Sequence, residues 1–275
     1  MTDHDPTRTP HEDNTTAHPW RRFVAVGDSF TEGVGDPDPT VPGQYRGWAD
    51  RVAEVLGQQV DDFAYANLAV RGKLIAQIIA DQIEPAVSLH PDLVSICAGG
   101  NDVIRPGTDP DAIAAQLEDA VARLSSTGAT ILLFTGVDTG FSPVLRAFRG
   151  KVAIYNENVR AIADRHDCIV ADQWALKGVQ DPRFFADDRL HYNTLGHHEV
   201  ARMALRALNV PNDLEPMQPE PLPVRTWREA RSEDFGWARE HFVPWVLRRL
   251  RHQSSGDHLA AKRPDPSPML RLDQS

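Results

Sequence analysis

The sequence predicts an α/β fold with helices packed on both faces of a central five-stranded parallel sheet. Two observations predict it. Five short apolar or β-branched runs each lead into a longer stretch of helical period. The clusters of Gly, Asp, Ser and Asn fall just after the apolar runs, where right-handed crossovers gather all the strand-to-helix loops along one sheet edge. With 275 residues, 41% of them hydrophobic, the chain is long enough for one substantial core.

Residues 1–20 carry too few apolar groups to offset the entropy of ordering and read as a disordered arm. The core domain then runs over 21–210. Its strands are Phe23–Val26, Ala64–Val70, Leu93–Ala98, Thr130–Thr135 and Ile169–Ala171; its helices are Gly47–Leu56, Lys73–Ile83, Asp109–Leu124, Val152–Asp164 and Thr194–Leu208. Thr108, three positions before Asp111, reads as an N-cap, and Gly57 and Gly128 stand where helix C-terminal signals belong. Residues 211–223 hold Pro211, Pro216, Pro219, Pro221 and Pro223 and form a semi-rigid linker. A Trp/Arg-rich helical extension follows over 224–253, with Trp227, Trp237, Trp245, Phe235, Phe242, Val246 and Leu250 interleaved with seven arginines and interrupted by Pro244. Its aromatics are expected to dock on the core; the other reading is a contact for a protein or membrane surface. Residues 254–275 read as a tail.

Charge and cysteine usage exclude some partners. The net charge of −10 opposes a phosphate backbone, so no nucleic-acid partner is expected. Cys97 and Cys168 sit in apolar runs without metal spacing and read as reduced core residues. With no basic start leading into an apolar stretch and no transmembrane run, the sequence reads as cytoplasmic.

The chemistry gathers at the strand ends. Ser29 follows the first strand in Gly27-Asp28-Ser29-Phe30, and Asp188 precedes His191 by three residues, close enough for the carboxylate to fold back onto the imidazole. A serine hydroxyl is a weak nucleophile until a histidine takes its proton and a carboxylate holds that histidine in the right tautomer. The second glycine of a G-x-S-x-G elbow is missing, which disfavours the α/β-hydrolase arrangement. The backbone N–H groups of Ser29 and Gly72 with the Asn101 side chain, from Gly99-Gly100-Asn101-Asp102, would form a three-donor pocket for an oxyanion. Asp28 and Asp102 are expected to hold loops by hydrogen bonds. His197, His198 and Glu199 match no metal motif and read as solvated or core-edge helix residues.

Taken in order, Gly-Asp-Ser with Phe30 in place of the more usual Leu, the Asn67 to Gly72 stretch, Gly-Gly-Asn-Asp and Asp-x-x-His resemble the four marker blocks of the SGNH/GDSL hydrolases, over roughly Phe23 to Leu208. The resemblance implies a three-layer α/β/α flavodoxin-like fold, Ser29 as nucleophile, His191 as base, Asp188 as orienter, and Ser29, Gly72 and Asn101 as oxyanion donors. It implies a small-molecule ester substrate, since members cleave carboxylic esters, thioesters, acylated sugars and lysolipids, and it calls for no metal and no cofactor. Arg71, where a small residue is frequent, would bring a cation towards the substrate. The stretch Gly136–Lys151, with Phe141, Leu145 and Phe148, is expected to wall or cover the acyl pocket. Three alternatives stay open: an acyltransferase using the same residues, a metal-dependent phosphoesterase, and a non-catalytic binding protein on the same fold. The phosphoesterase lacks its early Asp-x-His pair here.

Overall fold

A computed structural model describes residues 18–222, 226–244 and 256–269. Six strands, β1 (Arg22–Gly27), β2 (Ala64–Asn67), β3 (Leu93–Cys97), β4 (Thr130–Phe134), β5 (Ile169–Ala171) and β6 (Arg263–Pro268), form one sheet in the order β5-β4-β3-β1-β2-β6. The first five are parallel, in the flavodoxin-like arrangement. The order reverses between β1 and β3, so a crevice opens beyond their carboxyl ends, and the loop after β1 enters it.

Side-chain alternation along β1 builds two cores. Phe23 and Ala25 join Trp48, Leu56, Val200 and Leu205 on one face, under α2 (Gly47–Gln59) and α8 (Thr194–Ala207). Val24 and Val26 join Ile78, Leu117, Leu124 and Val159 on the other. That second face is covered by α3 (Ile75–Ile78), a π-helical turn (Ile79–Ile83), α4 (Glu84–Ser88), α6 (Pro110–Ser125) and α7 (Arg149–Arg165). Two one-turn helices, α1 (Ser29–Glu32) and α5 (Gly100–Val103), start directly after β1 and β3. Trp48 is fully buried, its ring 4.5 Å from Phe134 and 5.5 Å from Phe30. Burying a side chain of this kind contributes roughly 1.5–3 kcal/mol, so the loop carrying Ser29 rests on a rigid floor.

The five expected strands and helices are present with shifted ends, and the structure corrects several local expectations. Asp109, not Thr108, caps α6 by accepting from Asp111 N–H, because Thr108 Oγ1 is turned to the carbonyls of Asp102 and Arg105. Gly57 lies inside α2, which runs on to Gln59. Gly128, at φ +77°, lies beyond Ser125, the last residue of α6. Most of the expected N-terminal arm lies outside the described residues, but its last part packs: His18 and Trp20 are buried, with Trp20 Nε1–H donating to Thr130 Oγ1 at 3.0 Å. No helix or strand occurs over 211–222.

The sheet has six strands rather than five. Residues 263–268, read from sequence as part of a tail, add an antiparallel edge strand to β2. Met269 N–H donates to Phe63 O at 3.0 Å, so the odd-numbered amides face β2. Pro264, Pro266 and Pro268 carry no N–H, which halves the donors a further strand could pair with, and the register against β2 shifts between Tyr65 and Asn67. In the extension, α9 (Trp227–Trp237) continues into a π-helical turn, Ala238–Phe242. Trp227 and Phe235 are 69% and 75% exposed, so these two aromatics do not dock as expected. The helix meets the core at Arg189, which pairs with Asp234 at 2.7 Å and lies 4.9 Å over the Trp237 ring. Trp245, Val246 and Leu250 lie outside the described residues. No helix among the described residues is long and apolar enough to cross a membrane.

Candidate active site

Ser29 is the first residue of α1, so its N–H has no acceptor within that helix. The turn that presents it depends on close packing at Gly27, where a Cβ would fall 2.5 Å from Thr31 Oγ1 and 2.6 Å from Cys97 O. Gln82, buried in the π-helical turn, grips the Gly27 backbone from below: its amide accepts from Gly27 N–H and donates to Gly27 O, both at 2.9 Å. Such turns insert an extra residue per hydrogen bond and recur near functional sites. No sequence signal pointed to Gln82, because a buried glutamine in an apolar helix acquires meaning only from what it faces.

Asp188 and His191 lie in a loop pinched off by the antiparallel bridge between Phe185 and Tyr192 and closed by Ala186 N–H donating to His191 O at 2.8 Å. Arg189 adopts φ +54°, the left-handed bend that turns the chain back on itself. Asp188 Oδ1 accepts from the N–H groups of Leu190 (2.9 Å) and His191 (3.0 Å), leaving Oδ2 to meet His191 Nδ1 at 2.5 Å. His191 Nε2 lies 2.9 Å from Ser29 Oγ, across 162 residues of sequence. Burial by itself would raise the Asp188 carboxyl; the hydrogen bond and charge of His191, with the two backbone donors, outweigh it and bring it down to about 2.

The other motif residues divide into those that meet at this point and those that do not. Asn101, in α5, lines the same cavity, and its amide donates to Asp28 Oδ2 at 3.0 Å and Lys73 O at 3.1 Å. Asp28 also caps α1 through Phe30 N–H, and burial pushes its carboxyl up to about 6. Asp102 accepts from Ile75 N–H at 3.0 Å, so both aspartates hold loops as expected. Gly72 lies at φ +75° in the turn after β2 and is not among the cavity-lining residues. Arg71 does not reach towards the cavity. Its guanidinium pairs with the buried Glu32 and stacks 4.9 Å over Tyr45, and its own N–H donates to Glu32 Oε2 at 2.7 Å.

His197 differs from expectation. It is buried, lines the cavity and packs over Phe30. Its Nδ1 meets Trp48 N–H and its Nε2 meets Val34 O, both at 3.2 Å, which fits a neutral ring with its proton on Nε2. Burial holds its pKa down to about 4. Among the described residues, no group of three or more His, Cys, Asp or Glu is arranged to hold a metal ion. Both cysteines are free, and Cys97 borders the cavity.

The cavity measures about 200 Å³, and its lining is mostly apolar. Gly136, Val137, Thr139 and Leu145 wall it from the 136–151 stretch, with Val152 just beyond, while Phe141 contributes indirectly by packing 5.2 Å from Phe185. Phe148 does not line it.

Residues 25–199 match the model of the GDSL-like lipase/acylhydrolase family. The chain belongs to that family. The Bacillus subtilis (strain 168) protein YpmR, itself uncharacterized, is 33% identical over 101 residues, 34% of this chain and 36% of that protein. The chain thus spans about a third of the length of that curated relative. Among solved structures, LAE5, an alpha/beta hydrolase enzyme from the metagenome of Lake Arreo, Spain, superposes with TM-score 0.58 at 23% identity, over 70% of this chain and 97% of that one. Axe2, an acetylxylan esterase from Geobacillus stearothermophilus, gives 0.56 at 21%, over 70% and 96%. TesA gives 0.56 at 21%, over 68% and 99%. At these identities the likeness is one of fold, and it covers almost the whole of each neighbour but leaves nearly a third of this chain unmatched.

Proposed function

We propose that the protein is a serine carboxylic ester hydrolase that works through an acyl-enzyme on Ser29. The observation that carries this reading is the continuous contact from Asp188 through His191 to Ser29 Oγ at an apolar cavity. In the proposed first step His191 Nε2 removes the Ser29 proton as Oγ attacks the ester carbonyl; the Asp188 carboxylate stabilises the resulting imidazolium. The same proton then passes to the departing alcohol, and a water activated by His191 releases the acid. The oxyanion is received by the N–H groups of Ser29 and Gly72 and by the Asn101 amide, which exchanges its bond to the Lys73 carbonyl for the developing charge while keeping its bond to Asp28.

The size and lining of the cavity favour an acyl group larger than acetyl. An apolar cavity of about 150 Å³ accommodates benzene, so this one has room for an acyl tail of roughly eight carbons at most. Turnover of p-nitrophenyl esters from acetate to laurate, with parent and Ser29→Ala protein, tests both points. The expected result is Ser29-dependent activity that peaks at butanoate to octanoate and persists in excess chelator, which also separates it from metal-dependent phosphoester cleavage. Equal turnover by folded Ser29→Ala protein overturns the reading.

A further inference from the structure

The carboxyl-terminal strand brings with it a lysine whose position bears on the reaction. Lys262 Nζ lies within hydrogen-bond distance of four oxygens, the carbonyls of Glu32 (2.7 Å), Tyr45 (2.8 Å) and Arg46 (2.8 Å) and Asp50 Oδ2 (2.5 Å), which share its three N–H groups. The Lys262 and Asp50 side chains are only 11% and 15% exposed, so solvent screens this cluster weakly. Glu32 is the last residue of the Ser29 helix, and its carboxylate accepts from Arg71 N–H and pairs with the Arg71 guanidinium. Tyr45, whose carbonyl is held by Lys262, also supplies the ring under that guanidinium.

On its other side, the Arg71 carbonyl is packed against Gly256, so closely that a Cβ there would fall 2.0 Å from Arg71 O. Arg71 C=O and Gly72 N–H belong to one planar peptide unit, so whatever fixes the carbonyl fixes the direction of the amide hydrogen. The segment 256–269 therefore grips the Ser29 helix and the Arg71–Gly72 peptide from two directions.

We propose that Lys262 is a positioning residue for ester hydrolysis: its caged ammonium, together with Gly256, aligns the Ser29 helix with the Gly72 N–H, so that segment 256–269 completes the oxyanion pocket. This rests on the serine-hydrolase reading above. Neither residue touches the acyl cavity. Misalignment of the donors weakens binding of the transition state and leaves binding of the acyl group in place.

The test uses the full chain with p-nitrophenyl butanoate. Lys262→Met keeps the aliphatic stem and removes the donors; Gly256→Ala presses a methyl group against the Arg71 carbonyl. Each is expected to lower kcat about tenfold or more with KM within about twofold, at a temperature well below its unfolding midpoint. Labelling of Ser29 by a fluorophosphonate, whose phosphonyl oxygen occupies the same donors, is expected to slow in parallel. A role limited to stability lowers the unfolding midpoint and leaves kcat and labelling unchanged, and that result in either folded variant overturns the proposal. If Lys262→Met does not fold, Gly256→Ala decides alone. Should the parent show no Ser29-dependent hydrolysis or labelling, the hydrolase reading falls and the proposal with it; Ser29-dependent activity with unaltered variants removes the proposal only.

Discussion

The loop after β1 and the loop before α8 each carry an aspartate, one next to Ser29 and one behind His191, and the two carboxyls are driven in opposite directions. Both are penalised by burial. At Asp28 burial, with the nearby Asp102 charge, outweighs the Phe30 N–H, the charge of His191 and the Asn101 amide, raising the carboxyl to about 6. Asp188 meets an imidazole at 2.5 Å and two backbone N–H groups, and they win, lowering it to about 2. The imidazole acts on both, but only Asp188 is hydrogen-bonded to it directly and is also the less deeply buried of the two, and that combination offsets the lost hydration. One loop thus keeps a permanent anion able to stabilise an imidazolium, and the other holds a carboxyl near its titration point whose work is to orient its neighbours.

The linkage to stability also has opposite signs. The Asp188 contribution is present above about pH 4 and is lost as pH falls towards 2. Asp28 has a folded-state pKa above its unfolded value, so its contribution is present below about pH 4 and is lost as pH rises through 6.

The largest effect that bears on this contrast is expected from Asp188→Asn. It leaves the loop bonds partly intact but disfavours the needed tautomer and the imidazolium, and should lower kcat on a short-chain ester by about 10³–10⁴. A loss below tenfold would break the distinction between the two loops. Asn101→Ala should lower kcat by roughly 10²-fold or more, since one donor to the oxyanion contributes about 2.7–4 kcal/mol; unchanged turnover would remove Asn101 from the oxyanion pocket. Asp28→Asn should cost turnover less, within about tenfold, but should gain stability relative to the parent between pH 4 and pH 7, by up to about 3 kcal/mol in urea unfolding. A difference that does not vary with pH means that Asp28 does not titrate as described. The smallest effect concerns the wall: Leu145→Trp should shift the preferred ester by a few carbons towards shorter chains with little change in unfolding midpoint, and an unaltered chain-length profile would place the acyl group elsewhere.

The sheet was legible in the sequence as far as its strands are buried runs of Val, Ile and Leu, and the site as far as Ser29 and Asn101 follow strands β1 and β3; Asp188 and His191, expected at a strand end too, lie instead in the loop before α8. What could not be read depends on partners distant in sequence. His197 reads as a solvated or core-edge helix residue until Trp48 and Val34 close around it, and Arg71 reads as a cation near the substrate until Glu32 meets it. Strand β6 was obscured by its own prolines: Arg263-Pro264-Asp265-Pro266-Ser267-Pro268 reads as a loop by composition, yet proline at every second position suits an edge strand that pairs on one side only.

Lys262 follows Arg46 by 216 residues. As a ribosome makes the chain from its amino end, the three carbonyls and the carboxylate that will surround this ammonium emerge between 212 and 230 residues before it. Every residue of the five parallel strands is therefore made before the lysine that closes around the Ser29 helix.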